Sequence, residues 1–396
     1  MIDQLKTAMN RRHFLQAAGV ASAATALGWH YTAKAATKAE VLETRVISWQ
    51  PQYYHGWPTL ARRRNGHLYV VWSGGREGHV CPFGRVEMMV SKDEGKTWGW
   101  PQVLVDGPID DRDAGVVETA RGTLLVSTFT SLAYEPSLTK VQGKKPGEAG
   151  AWSAERVSAW NAAHNRVTDQ QRRAELGQWM IRSTDGGVTW SARYTSIVNS
   201  PHGPIQLADG RLLYPGVELW DEARRVGICE STDDGMSWHW LSGIPARPGD
   251  DLKQYHELHG VETNDGRVVV HIRNHNQPNA NETLQTESTD GGRTWSVPRA
   301  IGVWGLPSFL LRLRNGHLLM SYGHRRSPLG NQARASSDHG RTWSEPLIIS
   351  GDATSGDLGY PSTVELSDGS LLTVWYELIK GSSRAVLRQA HWRLQA

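Results

Sequence analysis

Apolar positions along this chain fall in short runs, and six of those runs are entered through a polar-Gly step. They begin at Asn65-Gly66-His-Leu68, Arg121-Gly122-Thr-Leu124, Asp209-Gly210-Arg-Leu212, Asp265-Gly266-Arg-Val268, Asn315-Gly316-His-Leu318 and Asp368-Gly369-Ser-Leu371. Asn-Gly or Asp-Gly between apolar runs is the strongest short-range hairpin signal, because the favoured two-residue turn needs φ > 0. A second repeat stands between the hairpins: Ser91-Lys-Asp93-Glu-Gly95-Lys-Thr97-Trp98, with further copies starting at Ser183, Ser231, Ser288 and Ser336. It has the chemistry of a turn between strands. Asp accepts nearby backbone N–H groups, Gly supplies φ > 0, and Trp packs where the next strand begins.

Six hairpins alternating with five such turns predict a repeated unit of four antiparallel strands, A to D. The A–B pair is the hairpin, and the C–D pair carries the Ser-x-Asp-x-Gly-x-Thr-Trp turn. Six units around an axis make an all-β, six-bladed β-propeller. After Glu377 only one more strand fits, roughly Arg384 to Leu394, so the last blade needs an outer strand from elsewhere; the run Thr44–Trp49 is expected to supply it and close the ring. Blade two departs from the rest. The others use 22–27 residues from hairpin Gly to turn Asp, whereas Gly122 to Asp185 uses 63. The extra segment, about 133–178, is Lys-Pro-Gly-rich at first and helix-like from Ser153 to Leu176. Because it joins strand B to strand C, it must leave from the rim opposite the hairpins, either as a lid or wall there or as a passive surface excursion.

The repeat overrides what 396 residues would suggest about domain number, and residues 36–396 read as one propeller. Residues 1–35 read as a twin-arginine signal peptide: Asn10-Arg11-Arg12-His13-Phe14-Leu15-Gln16, an Ala-rich apolar stretch to Leu27, and Ala33-Lys34-Ala35. The twin-arginine export machinery is then a partner during targeting, and the expected destination is the periplasm or the medium. The stretch is too short and Ala-rich to span a bilayer, so no membrane is expected in the mature form. Net charge is +3 with acids and bases interspersed, which argues against a nucleic-acid partner. Two cysteines, Cys81 and Cys229, leave a disulfide open.

The repeat also places residues. In a blade the start of strand A and the end of strand B share the rim away from the hairpins. Nine residues before each hairpin Gly stand Trp57, Asp113, Pro201, Glu257, Pro307 and Tyr360, equivalent slots facing the central depression. The ends of strand B contribute Arg76, Glu218, Arg273, Arg325 and Glu377, and neighbouring positions add Arg112, His55, His202 and His259. Ionisable groups gathered in a concave, half-buried place are where binding and shifted proton affinities are expected. Propellers also fill their funnels with mutually paired charges, and a structural role is the alternative for Glu218 and Glu377.

On these residues the chain resembles the sialidase (neuraminidase) superfamily over essentially all of its mature length. The five turns look like that family's Asp boxes. Glu257, Asp265 and Arg273 keep the family's intervals between its catalytic Glu, the Asp of an Asp-Gly hairpin and an arginine closing the next strand. Gly359-Tyr360-Pro361-Ser362 resembles the start of the last blade, where the family carries its nucleophilic Tyr. Trp375-Tyr376-Glu377 resembles the strand end whose Glu orients an arginine, and Arg325 or Arg326 stands where a further family arginine lies. The likeness stops at blade one, where His55-Gly56-Trp57-Pro58 has Gly in place of the first arginine of a carboxylate-binding triad.

The resemblance implies an exo-acting, retaining glycoside hydrolase that acts on a terminal sugar of a glycan, with an acidic sugar the first expectation. Tyr360 would attack, Glu257 would accept its proton, and Arg273 with Arg325 or Arg326 would bind an acidic group. Arg112 or Arg76 would stand in for the missing arginine, and Asp113, Glu77 or His79 would be the acid/base group. His55, Trp57, His202, His259 and Glu377 complete the expected substrate-binding set. No cofactor is expected. Two other readings compete: a carbohydrate-binding propeller without turnover, and lyase chemistry on a metal held by His55, His202 and His259. The second lacks any tight ligand spacing such as His-x-x-x-His.

Overall fold

The computed structural model describes residues 38–48 and 50–395; the segment read as a signal peptide lies outside them. Six four-stranded antiparallel sheets stand in chain order, each an up-and-down blade. Their innermost strands are Tyr54–Arg62, Asp110–Glu118, Ile205–Gln206, Tyr255–Glu262, Ser308–Arg312 and Leu358–Glu365. The ring closes as expected. Lys38–Val46 pairs antiparallel with Val386–Gln395 as the outer strand of blade six. It starts earlier than the sequence suggested because the ten-residue strand beside it offers pairing along its whole length.

The five turns share one hydrogen-bond pattern. In the first, Ser91 Oγ–H donates to Asp93 Oδ1 at 2.8 Å and accepts from Gly95 N–H at 2.8 Å. Thr97 donates to the same carboxylate through N–H at 2.8 Å and Oγ1–H at 2.6 Å. The copies at Ser183, Ser231, Ser288 and Ser336 repeat the Ser-to-Asp and Gly-to-Ser bonds and the hydroxyl-to-Asp bond, whose donor is Thr except in the Ser231 copy, where it is Ser237. A second device locks blade to blade on the same rim. The acid or amide ending one inner strand accepts a backbone N–H from the previous blade's hairpin: Glu118 from Arg64 at 2.8 Å, Gln206 from Ala120 at 2.5 Å, Glu262 from Ala208 at 2.7 Å and Glu365 from Arg314 at 2.7 Å. The hydrophobic core lies between blades. One cluster joins Leu60, Val70 and Trp72 of blade one to Val374, Tyr376 and Leu387 of blade six, and another joins blades three and four. Burial between sheet faces is what holds a propeller together, since no blade covers both of its own faces.

The blade-two insertion forms α1 (Glu135–Gln142), α2 (Ala154–His164) and α3 (Asp169–Ala174). The single helix-like stretch is split in two, with Thr168 capping α3 through its side chain. α1 falls in the segment read as merely polar, and it is entered through Pro136, whose missing N–H costs nothing in a helix's first turn. The insertion packs as a wall on the loop that follows strand B of blade one. Tyr134, Leu138, Val141 and Trp160 bury Cys81, and Trp160 Nε1–H donates to Glu77 Oε2 at 2.6 Å. Cys81 and Cys229 are both buried and free.

Candidate active site

Four of the six equivalent slots share a backbone feature that the sequence count did not reveal. Trp57, Asp113, Glu257 and Tyr360 have φ of +55°, +47°, +39° and +54°. Each sits at a break in register between strands A and B, so each blade carries a bulge there. A bulge re-aims one side chain out of the sheet's alternation, and left-handed non-Gly residues of this kind are held at a cost of about 1–3 kcal/mol each. The two remaining slots are Pro201 and Pro307, whose rings forbid positive φ.

The bulges bring Tyr360 and Glu257 together across the bowl. The Tyr360 hydroxyl donates to Glu257 Oε1, and Arg273 donates to Glu257 Oε2 at 2.5 Å and to the Tyr360 oxygen at 3.2 Å. Burial and the neighbouring Glu257 carboxylate hold the Tyr360 hydroxyl well above its ordinary pKa. Burial alone would raise Glu257, but Arg273 and the phenol hold it below the usual carboxylate range. The proton therefore rests on the phenol, beside an ionised acceptor. Asp113, 7% exposed, has an Oδ1 that is buried with no hydrogen-bond partner among the described residues. Burial, opposed by Arg112 and reinforced by Glu257, pushes its carboxyl up to about 6.

The other expected residues divide into three groups. Arg325 donates to the Leu358 carbonyl at 2.9 and 3.1 Å, and its charge also helps hold Glu257 ionised. Arg326 is exposed and lies 3.6 Å over the Trp304 ring. Of that pair, Arg325 belongs to the site.

The second group is buried support. Trp57, expected to meet sugar, is 1% exposed and presents no free face. Arg76 and Arg112 lie over its ring at 5.0 and 4.5 Å. Arg76 has no exposure and grips Asp110 with both terminal nitrogens at 2.5 and 2.9 Å, so it is not placed to replace the missing arginine. His55 is bonded to Ser48 at 2.9 Å beside Trp72. His202 and His259 lie ring to ring at 5.4 Å, with His202 6.3 Å from the Tyr360 ring. Both line an axial cavity of about 450 Å³, and of the two it is His202 that reaches toward Tyr360. Burial pulls His202 down to about 4 and His259 well below its ordinary value, so both are neutral.

The third group is turned into the blades. Glu377 has no exposure and bonds Arg388 of its own sheet, and Glu218 takes Arg225 at 2.6 and 2.7 Å. Neither orients a site arginine. An arginine of the same sheet within reach of each buried strand-end acid, largely buried Arg388 for Glu377 and exposed Arg225 for Glu218, pairs the charge and decides against the bowl. Glu77 likewise turns to α2, bonding Arg156 and Trp160.

His79 does reach the site, through partners the sequence reading missed. Asp357 accepts from the Tyr54 hydroxyl at 2.9 Å, the Tyr376 hydroxyl at 3.0 Å and His79 Nδ1 at 2.9 Å. The half-exposed His79 ring meets Trp57 edge-on at 4.9 Å. Also missed is a chain of basic groups behind Arg273, consisting of His275, His256 and Arg224. His256 was one residue from a counted slot, and Tyr376 one from Glu377. The bulges defeat a strict period of two.

Several comparisons bear on this architecture. The family model described as BNR repeat-like domain matches residues 150–373, more than half of the chain, and the twin-arginine translocation pathway signal matches residues 8–28. The chain is thus an exported protein, periplasmic or secreted; among the described residues no helix is long and apolar enough to cross a membrane. A search of curated proteins gives no match. Among solved structures, a Dyadobacter fermentans protein of unknown function superposes with TM-score 0.71 at 22% identity, over 90% of this chain and 99% of that one. A Hadza microbial sialidase gives 0.59 at 19%, over 85% and 65%. The intramolecular trans-sialidase of Ruminococcus gnavus, in complex with oseltamivir carboxylate, gives 0.57 at 14%, over 86% and 94%. With five repeated Asp turns on a six-bladed ring, the chain belongs to the BNR repeat-like family and shares the propeller of the sialidases.

Proposed function

We propose that the protein is an exo-acting glycoside hydrolase of sialidase type, retaining stereochemistry through a tyrosine nucleophile and releasing a terminal acidic sugar from a glycan. The observation that carries the reading is the direct bond from the Tyr360 hydroxyl to Glu257, with Arg273 touching both. In the first step Tyr360 Oη bonds the anomeric carbon, the glycosidic C–O bond breaks, Glu257 takes the phenolic proton and Asp113 protonates the departing oxygen. In the second step Asp113 removes a proton from water, the water oxygen replaces the phenolate at the same carbon, and Glu257 returns its proton to Tyr360. Retaining glycosidases ordinarily use a carboxylate nucleophile, and tyrosine is the exception found in sialidases. A neutral phenol escapes the repulsion that an anionic nucleophile meets beside an acidic group.

The proton inventory suits these roles. The phenol keeps its proton until the carboxylate beside it accepts one, and a carboxyl held at about 6 is protonated in mildly acidic solution and in a minor fraction of molecules at neutral pH, so activity should fall as pH rises above 6. The insertion raises a wall on one side of the rim, which suits a chain end better than a polymer lying across it. Because blade one has Gly56 where a sialidase has an arginine, with Trp57 buried beside it, the sugar need not be a sialic acid.

The test is turnover of chromogenic sialosides and of a panel of other aryl glycosides by the mature protein, beside Tyr360→Phe and Glu257→Gln. Each substitution is expected to lower kcat/KM by about 10²-fold or more. Turnover untouched by either variant would remove the assignment. Glycan binding with no turnover on any substrate would favour a carbohydrate-binding propeller.

A further inference from the structure

The arginines closest to the blade-one slot are committed elsewhere, which raises the question of what binds an acidic group here. Arg76 is neutralised by Asp110 and stacked on Trp57, and Arg112 is stacked on the same ring. On the other side of Tyr360 the cations are less fully paired. Arg224, between strands B and C of blade three, donates to His256 Nδ1 at 3.0 Å. The His256 and His275 rings lie 4.5 Å apart, and Arg273 Nε–H donates to His275 Nε2 at 2.8 Å. Arg273 in turn touches Glu257 and Tyr360. The contacts run unbroken from a surface loop to the nucleophile.

Three features mark this chain as a place for an anion. First, its arginines outnumber its acids. Arg224 makes no ion pair among the described residues and bonds only His256 and the Lys253 carbonyl, with Asp251 acting on it at range. Among the described residues Arg325 bonds only the Leu358 carbonyl. Among the described residues Glu257 is the one carboxylate bonded within the group.

Second, both histidines are fixed as neutral tautomers with a donor to spare. Arginine has no acceptor, so each ring nitrogen it faces must be bare. That leaves His256 Nε2–H and His275 Nδ1–H as donors, and neither has a protein acceptor among the described residues. Burial and the adjacent cations pull both rings below their ordinary pKa, which favours their uncharged form. Third, the groups are half-buried rather than solvated, where a charge-assisted bond to an oxyanion gains most.

We propose that Arg224, His256 and His275, with Arg273 and Arg325, form a binding site for the oxyanion of an acidic sugar, a carboxylate or a sulfate ester, beside the Tyr360 hydroxyl. This rests on reading the Tyr360 face as a sugar site, and it moves the anion-binding role from blade one to the junction of blades three and four.

Calorimetric binding tests it apart from turnover, using the mature protein and sugars that differ only at C6. Glucose and galactose are the neutral probes, their uronates the carboxylate arm, and their 6-sulfates the sulfate arm. Wild type is expected to favour one charged arm over its neutral counterpart by about tenfold or more, the scale of one charged hydrogen bond. Arg224→Gln and His275→Gln should each remove most of that preference, with melting temperature confirming that both variants fold. Tyr360→Phe should keep it, so binding is read even if the hydrolase reading fails. Which arm binds identifies the oxyanion. A charged preference that survives Arg224→Gln and His275→Gln, or the absence of any charged preference in wild type, would overturn the proposal.

Discussion

Asp113→Asn isolates the electrostatic cost of the candidate acid group and can be measured without knowing the substrate. The side chain is buried, forms no hydrogen bond among the described residues, and sits at φ +47°, a conformation that Asn tolerates well. The substitution therefore removes charge with little change of shape. Burial lifts the carboxyl from 3.8 to about 6, so the folded protein binds this proton more tightly than the unfolded chain. A carboxyl with a raised folded-state pKa lowers stability as pH climbs through that window. The loss begins near 3.8 and is complete above about 6, reaching about 3 kcal/mol at 1.36 kcal/mol per pH unit. Asn has no charge to desolvate. The variant should match wild type within about 0.5 kcal/mol at pH 4 and exceed it by about 3 kcal/mol at pH 8. With an unfolding entropy of about 2.1 cal/mol/K per residue over the propeller, that is a rise of about 4 °C in melting temperature. Thermal denaturation of both proteins at pH 4, 6 and 8 reads it, and activity should fall as stability rises. Equal melting temperatures at pH 8, or a gain that does not grow with pH, would refute the claim that this carboxyl is costly to ionise.

Three further outcomes follow from the fold. Ser183→Ala leaves the Gly187 N–H buried without an acceptor and takes one of three donors from Asp185 Oδ1, which keeps the Val188 and Thr189 N–H groups, so the denaturation midpoint should drop by the equivalent of about 1–3 kcal/mol with activity unchanged, the turn being on the far rim; an unmoved midpoint would contradict this. Arg388→Met strands the Glu377 carboxylate inside blade six and should cost about 3–5 kcal/mol at neutral pH, shrinking as acid protonates Glu377; a loss independent of pH would show that the pair is not what matters. A mature chain shortened to begin at Ser48 exposes the edge of Val386–Gln395, and light scattering should detect added self-association together with a lower melting temperature; an unchanged particle mass and melting temperature would argue that the outer strand is dispensable.

Sequence alone determined the ring. Hairpin glycines and Asp turns are local devices whose hydrogen bonds involve residues within five positions of one another, so they read the same in a string as in space. Their alternation set six blades, and the missing sixth turn pointed to a closing strand near the N-terminus. Counting from the glycines also placed Tyr360 and Glu257 on one rim, because the rise along a strand is regular. Tertiary structure decided which way each side chain went. A bulge inserts one residue and turns its neighbour to another face, leaving no mark on apolar periodicity, so Trp57 was buried and Tyr360 brought onto Glu257 by the same device. Partner choice among long charged side chains was equally hidden. Arg76 found Asp110, Glu377 found Arg388, and Arg224 was left beside two histidines, because desolvation favours the nearest buried opposite charge and only the folded chain sets what is nearest.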